Sequence, residues 1–233
     1  MSVTGVRHGI VHHADLIQGS EEWLQARCGM LTASGVKLIL TPTLKEASND
    51  KARAHVWEMA SQRISNFVEM QYVSDDMMRG QGDEVLAKAL YTQRYAPVGD
   101  MGFITNDHWG FTIGFSPDGL VGEDGFIECK SRRQRFQVET IVENVCPFEH
   151  MLQIQTSYLV SGRKWCDYVS YSAGLPMAVI AVPPDDEMQD AIVRAATKFE
   201  AQVAERIARY EDRLRSDMRL VPTERTIERE MYV

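Results

Sequence analysis

The sequence predicts an α/β fold, and three features carry that reading. Short alternating apolar runs separated by turn residues fill Ala96 to Lys130 and Lys164 to Val182. Apolar stripes at helical spacing flank them, as with Val56, Met59, Ala60, Ile64 and Phe67. Between them, Phe115 to Lys130 reads as two strands joined by the turn residues Gly-Glu-Asp-Gly at Gly122 to Gly125.

Taken in order, Met1 to Gln18 says little. Ser20 reads as a helix N-cap, with Glu21 and Glu22 in the first turn where the helix dipole favours acids. That helix carries Trp23 and ends near Gly29. Thr32 is placed to cap a second short helix bearing Val36, Leu38 and Ile39. Arg27, Thr32 and Ser34 thus fall near a helix N-terminus. They form either a phosphate cradle or plain capping beside a surface arginine. Thr41 to Asp50 is a loop, and a helix follows to about Phe67. Tyr72 to Gly82 reads as irregular. Gly80-Gln81-Gly82 has no preceding strand and no third glycine, so it is no dinucleotide loop. A helix runs from Asp83 to about Tyr95, with Glu84 near its start. Two strands lie between Ala96 and Phe115, turning at Asn106-Asp107. Helices are expected from Phe136 to Glu143 and after Pro147, strands over Lys164–Ser172 and Met177–Val182, and a long helix from Asp185 to about Met218. The tail from Leu220 is polar and reads as mobile. No repeat or linker divides the chain, so residues 1–233 are expected to form one domain.

The chemistry concentrates after Phe115. Strand alternation puts Phe126, Glu128 and Lys130 on one face and Ile127 and Cys129 on the other. A carboxylate and an ammonium two residues apart are costly to bury unless paired or bound to a metal. Asp118 can bring a second carboxylate across the hairpin, and Glu84 a third. Such a set suits a hard cation that keeps its water, such as magnesium. A lysine beside it can hold a water nucleophile or steady phosphate charge. Ser131-Arg132-Arg133-Gln134-Arg135 follows directly, a basic run beside paired carboxylates that suggests a polyanionic substrate. His150 reads as a satisfied, partly buried histidine, and Gln153 lies one turn beyond it.

Net charge is −8, with 44% hydrophobic and 25% charged residues. That is a soluble globular composition, and it argues against coating nucleic acid by bulk charge. No apolar run is long enough to cross a membrane and no signal peptide is evident, so a cytoplasmic location is expected. Cys28, Cys129, Cys146 and Cys166 lack metal-knuckle or iron–sulfur spacing and read as reduced thiols.

Five stretches together resemble the lambda-exonuclease type of phage recombination nuclease, within the restriction-endonuclease-like superfamily. They are Trp23-x-x-x-Arg27-x-Gly29-x-x-Thr32-Ala33-Ser34, Gly80-x-x-x-Glu84, Ser116-Pro117-Asp118-Gly119-Leu120, Glu128-x-Lys130 and Gln153-x-Gln155. They run from Trp23 to about Tyr158 in the family's order. The resemblance implies a mixed central sheet flanked by helices. It implies an exonuclease using two magnesium ions, with manganese substituting, that digests one strand of double-stranded DNA from its 5′ end. It implies a homotrimeric ring and a single-strand annealing protein as partner. By that likeness Asp118, Glu128 and the backbone carbonyl of Cys129 hold metal, and Glu84 is a further acid. Lys130 and Gln153 orient water. Arg27, Ser34 and Ser116 hold the 5′-phosphate. Met77 and Met78 form a wedge at the DNA end. The loop around Lys45 departs from the family pattern. Three rival readings are an endonuclease of the same superfamily, an inactive DNA-end-binding module and a purely structural acidic domain.

Overall fold

The structure, a computed structural model, describes residues 9–69 and 75–225, without the side chains of residues 75–77. Its strands form two four-stranded sheets with helices packed against them. The first sheet contains β1 (Ile10–His13), β2 (Leu31–Thr32), β3 (Phe103–Asn106) and β4 (Ile113–Phe115), in the order β1-β3-β4-β2. The second contains β5 (Gly119–Val121), β6 (Gly125–Ser131), β7 (Trp165–Tyr171) and β8 (Ala178–Val182), in that order. Both sheets are mixed: β2–β4 and β6–β7 pair parallel, the other pairs antiparallel. Phe115 therefore ends the first sheet and does not begin the hairpin. The chain crosses between sheets at Ser116-Pro117-Asp118, the segment that carries the site.

The helices are α1 (Glu21–Ala26), α2 (Asp50–Ser65), α3 (Asp75–Arg94), α4 (Gln134–Glu143), α5 (Phe148–Ser161) and α6 (Asp186–Leu214). Ser20 caps α1 as expected, its hydroxyl accepting from the Trp23 N–H at 3.2 Å. Asn49 and Asp185 do the same for α2 and α6. Thr32 does not cap its helix. It precedes a 3₁₀ segment, Ala33–Leu38, and its hydroxyl bonds to Ser34 instead. The region expected to be irregular before Asp83 is helical from Asp75, so Gly80 and Gly82 lie inside α3. Glycine lowers helix propensity without forbidding it.

Two apolar clusters explain the two faces of β6. Phe126 packs edge-on against Phe115 and Tyr158, in the cluster that also holds Leu31, Ile154 and the buried stripe of α6, Ile192, Ala196, Phe199 and Val203. Ile127 and Cys129 pack with Ala87 and Tyr91 of α3 and with Val169. Tyr91 is anchored there by a 2.6 Å hydrogen bond to Asp167. The four cysteines are free thiols, two of them buried. Among the described residues no helix is long and apolar enough to cross a membrane.

Candidate active site

Asp118 stands one residue before β5. The register Gly119↔Ile127 sets it opposite Glu128 one step on. Its Oδ2 accepts a hydrogen bond from the Cys129 N–H at 2.6 Å. Glu128 is fully buried, and its Oε1 forms an ion pair with Nζ of Lys130, whose side chain is a quarter exposed. Despite that pairing, neither Glu128 oxygen has a hydrogen bond of normal geometry. Glu84, on α3, lies close enough to Asp118 and Lys130 to feel both charges. The structure thus brings Asp118, Glu128, Lys130 and Glu84 together.

The electrostatics follow from burial. Desolvation lifts Glu128 from 4.5 to about 7, with Lys130 opposing and Asp118 adding to the rise. Desolvation and then the Asp118 charge lift Glu84 to about 7 as well. Asp118 is raised by burial, against the pull of Lys130 and of its Cys129 hydrogen bond. Burial opposes the charge on Lys130, but Glu128 and Asp118 outweigh it and hold its pKa above the ordinary lysine value. Lys130 therefore remains an ammonium.

With Oε1 facing the Lys130 ammonium, Glu128 Oε2 is the buried oxygen left for a further donor or cation. Among the described residues no group of three His, Cys, Asp or Glu side chains is placed to hold a metal ion, so Glu84 does not join Asp118 and Glu128 as a third ligand. Two carboxylates with water completing the shell are a donor set that magnesium accepts, whereas structural zinc demands a closed set. The residues fit magnesium on that ground.

A second cluster adjoins the first. Arg27 donates from Nη1 to the Ser116 hydroxyl at 2.7 Å, and its guanidinium lies 4.1 Å from the centre of the Trp23 ring. Trp23 Nε1 also donates to Ser116, at 3.1 Å. Burial pushes Arg27 down to about 10, and among the described residues it has no carboxylate partner. Ser34 is exposed, and its hydroxyl bonds to Thr32, not to Arg27 or Ser116. Met78 is 54% exposed near the start of α3. The Met77 side chain lies outside the described residues. Gln153 is half-buried on α5. The basic run is no uniform patch: Arg132 turns inward to Glu149 and His150.

Several supporting residues escape sequence reasoning. Gly29, held at φ +65°, is clamped from both sides: its N–H donates to Gln62 Oε1 at 2.8 Å, and its carbonyl accepts from Arg63 Nε at 2.6 Å. Arg63 also grips Glu200 of α6 with two hydrogen bonds. Gln18 donates to the Pro117 carbonyl at 2.9 Å and steadies the segment that carries Asp118. These contacts span 33 to 137 residues of chain, and no local pattern announces them.

A family model for the YqaJ-like viral recombinase domain matches residues 22–164. The chain belongs to this family. All the clustered residues named above for the two sites fall within the match. Among solved structures the chain is similar to an alkaline exonuclease, LHK-Exo, from Laribacter hongkongensis. The TM-score is 0.69 at 29% identity, covering 84% of this chain and 100% of that one. The same enzyme in complex with dAMP gives 0.68 at 31% identity over the same shares. A phage-related exonuclease from Haemophilus somnus 129PT shares the fold, with a TM-score of 0.59 at 13% identity, covering 78% of this chain and 96% of that one. None of the curated proteins matches the chain.

Proposed function

We propose that the chain is a magnesium-dependent exonuclease that digests one strand of duplex DNA from its 5′ end. It releases mononucleotides and leaves 3′ overhangs for strand annealing. One observation carries the reading. Ser116, bonded to the partly buried Arg27, which has no carboxylate partner among the described residues, lies two residues from Asp118. An anion cradle and a carboxylate pair are therefore joined by one short rigid segment. A guanidinium stripped of water and left without an acid favours a phosphate. A terminal phosphate held there fixes how far along the strand the carboxylates act.

Asp118, Glu128 and the carbonyl of Cys129 would hold two ions, manganese substituting for magnesium. Such ions, when bound, activate water and stabilise charge on phosphate oxygens. Lys130, fixed as an ammonium, donates to developing negative charge and does not act as base. Glu84, with its pKa near 7, can carry a proton at neutral pH and release it just above. Gln153 orients the attacking water, and Met77 and Met78 splay the terminal base pair. In this reading residues 1–233 act as one domain in the bacterial host's cytoplasm. Three copies ring the duplex and pass the overhang to an annealing protein.

The test is incubation with linear 5′-phosphorylated, nicked and closed circular duplex, with and without magnesium, followed by product sizing. Mononucleotides should accumulate from linear DNA only with the metal. Cleavage of closed circles would favour an endonuclease, and end binding without release would favour an inactive module.

A further inference from the structure

We propose that Arg132 is a positioning residue that locks the first turn of α5 to the strand carrying Glu128 and Lys130. The proposal rests on the nuclease reading above. β6 ends at Ser131, yet the Arg132 N–H still donates to the Tyr171 carbonyl at 2.7 Å, so its backbone stays tied to the sheet. Its side chain is only 10% exposed. Nη1 donates to Glu149 Oε1 at 2.5 Å and to His150 Nε2 at 3.0 Å, and the guanidinium carbon lies 4.9 Å from the Phe136 ring centre. One side chain thus joins β6, α4 and α5.

His150 continues the link. A nitrogen that accepts from arginine carries no proton, so the imidazole is neutral and its proton sits on Nδ1. Burial, reinforced by the Lys130 charge, pushes its pKa down to about 3, which keeps it an acceptor at any working pH. Its ring stacks on Tyr168 at 5.4 Å and 21°. Tyr168 pairs with Glu128 in the β6–β7 ladder. The contacts therefore close a circuit: Glu128 to Tyr168, Tyr168 to His150, His150 to Arg132, and Arg132 back along β6 to Lys130. Gln153 is one turn beyond His150 on the same helix, so a tilt of α5 moves it relative to Lys130. An arginine meant for DNA phosphate keeps its fork open to solvent. Arg132 is 10% exposed, serves Glu149 and His150 through Nη1 alone, and buries its Nε, so its fork is closed off from solvent.

The experiment compares wild type, Arg132→Ala, Arg132→Lys and His150→Phe by steady-state digestion of 5′-phosphorylated linear duplex, with Tm measured in parallel. His150→Phe keeps the stacking on Tyr168 and removes only the acceptor, so it tests the link even if Arg132→Ala fails to fold. Misplacement of a catalytic group by about 1 Å can cost on the order of 100-fold. The expected result is a kcat about 10- to 100-fold lower in Arg132→Ala and His150→Phe, with KM for DNA ends within about twofold and partial recovery in Arg132→Lys. The double variant should be little worse than either single one. A raised KM with kcat intact would make Arg132 a DNA contact and overturn the proposal. So would unchanged kcat and KM with a lowered Tm, which marks a strut. An inactive wild type would overturn the nuclease reading and this proposal with it.

Discussion

Glu128→Gln should stabilise the protein at pH 8 when divalent ions are removed. Glu128 is fully buried and its pKa rises from 4.5 to about 7, net of the attraction of Lys130. A carboxylate with a raised folded pKa binds its proton more tightly in the folded state. Its stabilising contribution is complete below the unfolded value and is lost as pH climbs through 7. The shift corresponds to roughly 3 kcal/mol between strongly acid conditions and pH 8. Glutamine has the same shape and no charge, so it escapes this loss. Lys130 loses the Glu128 charge in the variant, and the Asp118 charge remains to hold its ammonium against desolvation. Asp118 and Glu84 are present in both proteins and cancel to first order. For a chain of this size the difference amounts to about 5–10 °C in Tm. Thermal unfolding in EDTA at pH 5 and pH 8 measures it. The variant should gain on wild type as pH rises, and magnesium should then restore wild type while leaving the variant unchanged. A Glu128→Gln protein less stable than wild type at pH 8 without metal would refute the reasoning. It would mean that Lys130 fully satisfies the carboxylate, leaving no donor waiting for a cation.

Other perturbations separate the remaining parts. Asp118→Asn keeps the shape that receives the Cys129 N–H but should lower magnesium-dependent digestion by at least about 100-fold with an unchanged circular dichroism spectrum. Arg27→Ala should raise KM for 5′-phosphorylated ends and leave 5′-hydroxyl ends nearly unaffected, read by digestion of paired substrates; equal losses on both would remove the phosphate role. Gly102→Ala should cost roughly 3 kcal/mol in urea unfolding, because its new carbon would sit 1.9 Å from the Leu16 carbonyl oxygen. Tyr91→Phe should cost about 1–2 kcal/mol by the same method, since it leaves Asp167 without its 2.6 Å donor.

The parts of the fold written in short-range pattern were readable. The two-residue period of Phe126 to Lys130 assigned each side chain to its face, and the structure sends Phe126 and Ile127 to different clusters. Ser20 with Glu21 and Glu22 announced a helix start, and the buried stripe of α6 announced its packing side. The glycines at 80 and 82 misled, because tertiary packing carried α3 through residues of low propensity. The meeting of Arg27 with Ser116 spans 89 residues, so physical pattern left it open and only the family resemblance grouped them. Ser34 came along in that grouping; its hydroxyl bonds locally to Thr32. Arg132 read as part of a basic run facing a polyanionic substrate; the structure turns it inward to Glu149 and His150, which come from a helix the sequence places but does not orient.

The parallel pairing of β6 with β7 has a consequence for synthesis. Residues 125–131 dock on residues 165–171, and α4 and α5 occupy the interval between them. On a ribosome the strand bearing the acids emerges long before its neighbour. A nascent chain therefore cannot complete the second sheet around Glu128 and Lys130 until that later strand has cleared the exit tunnel.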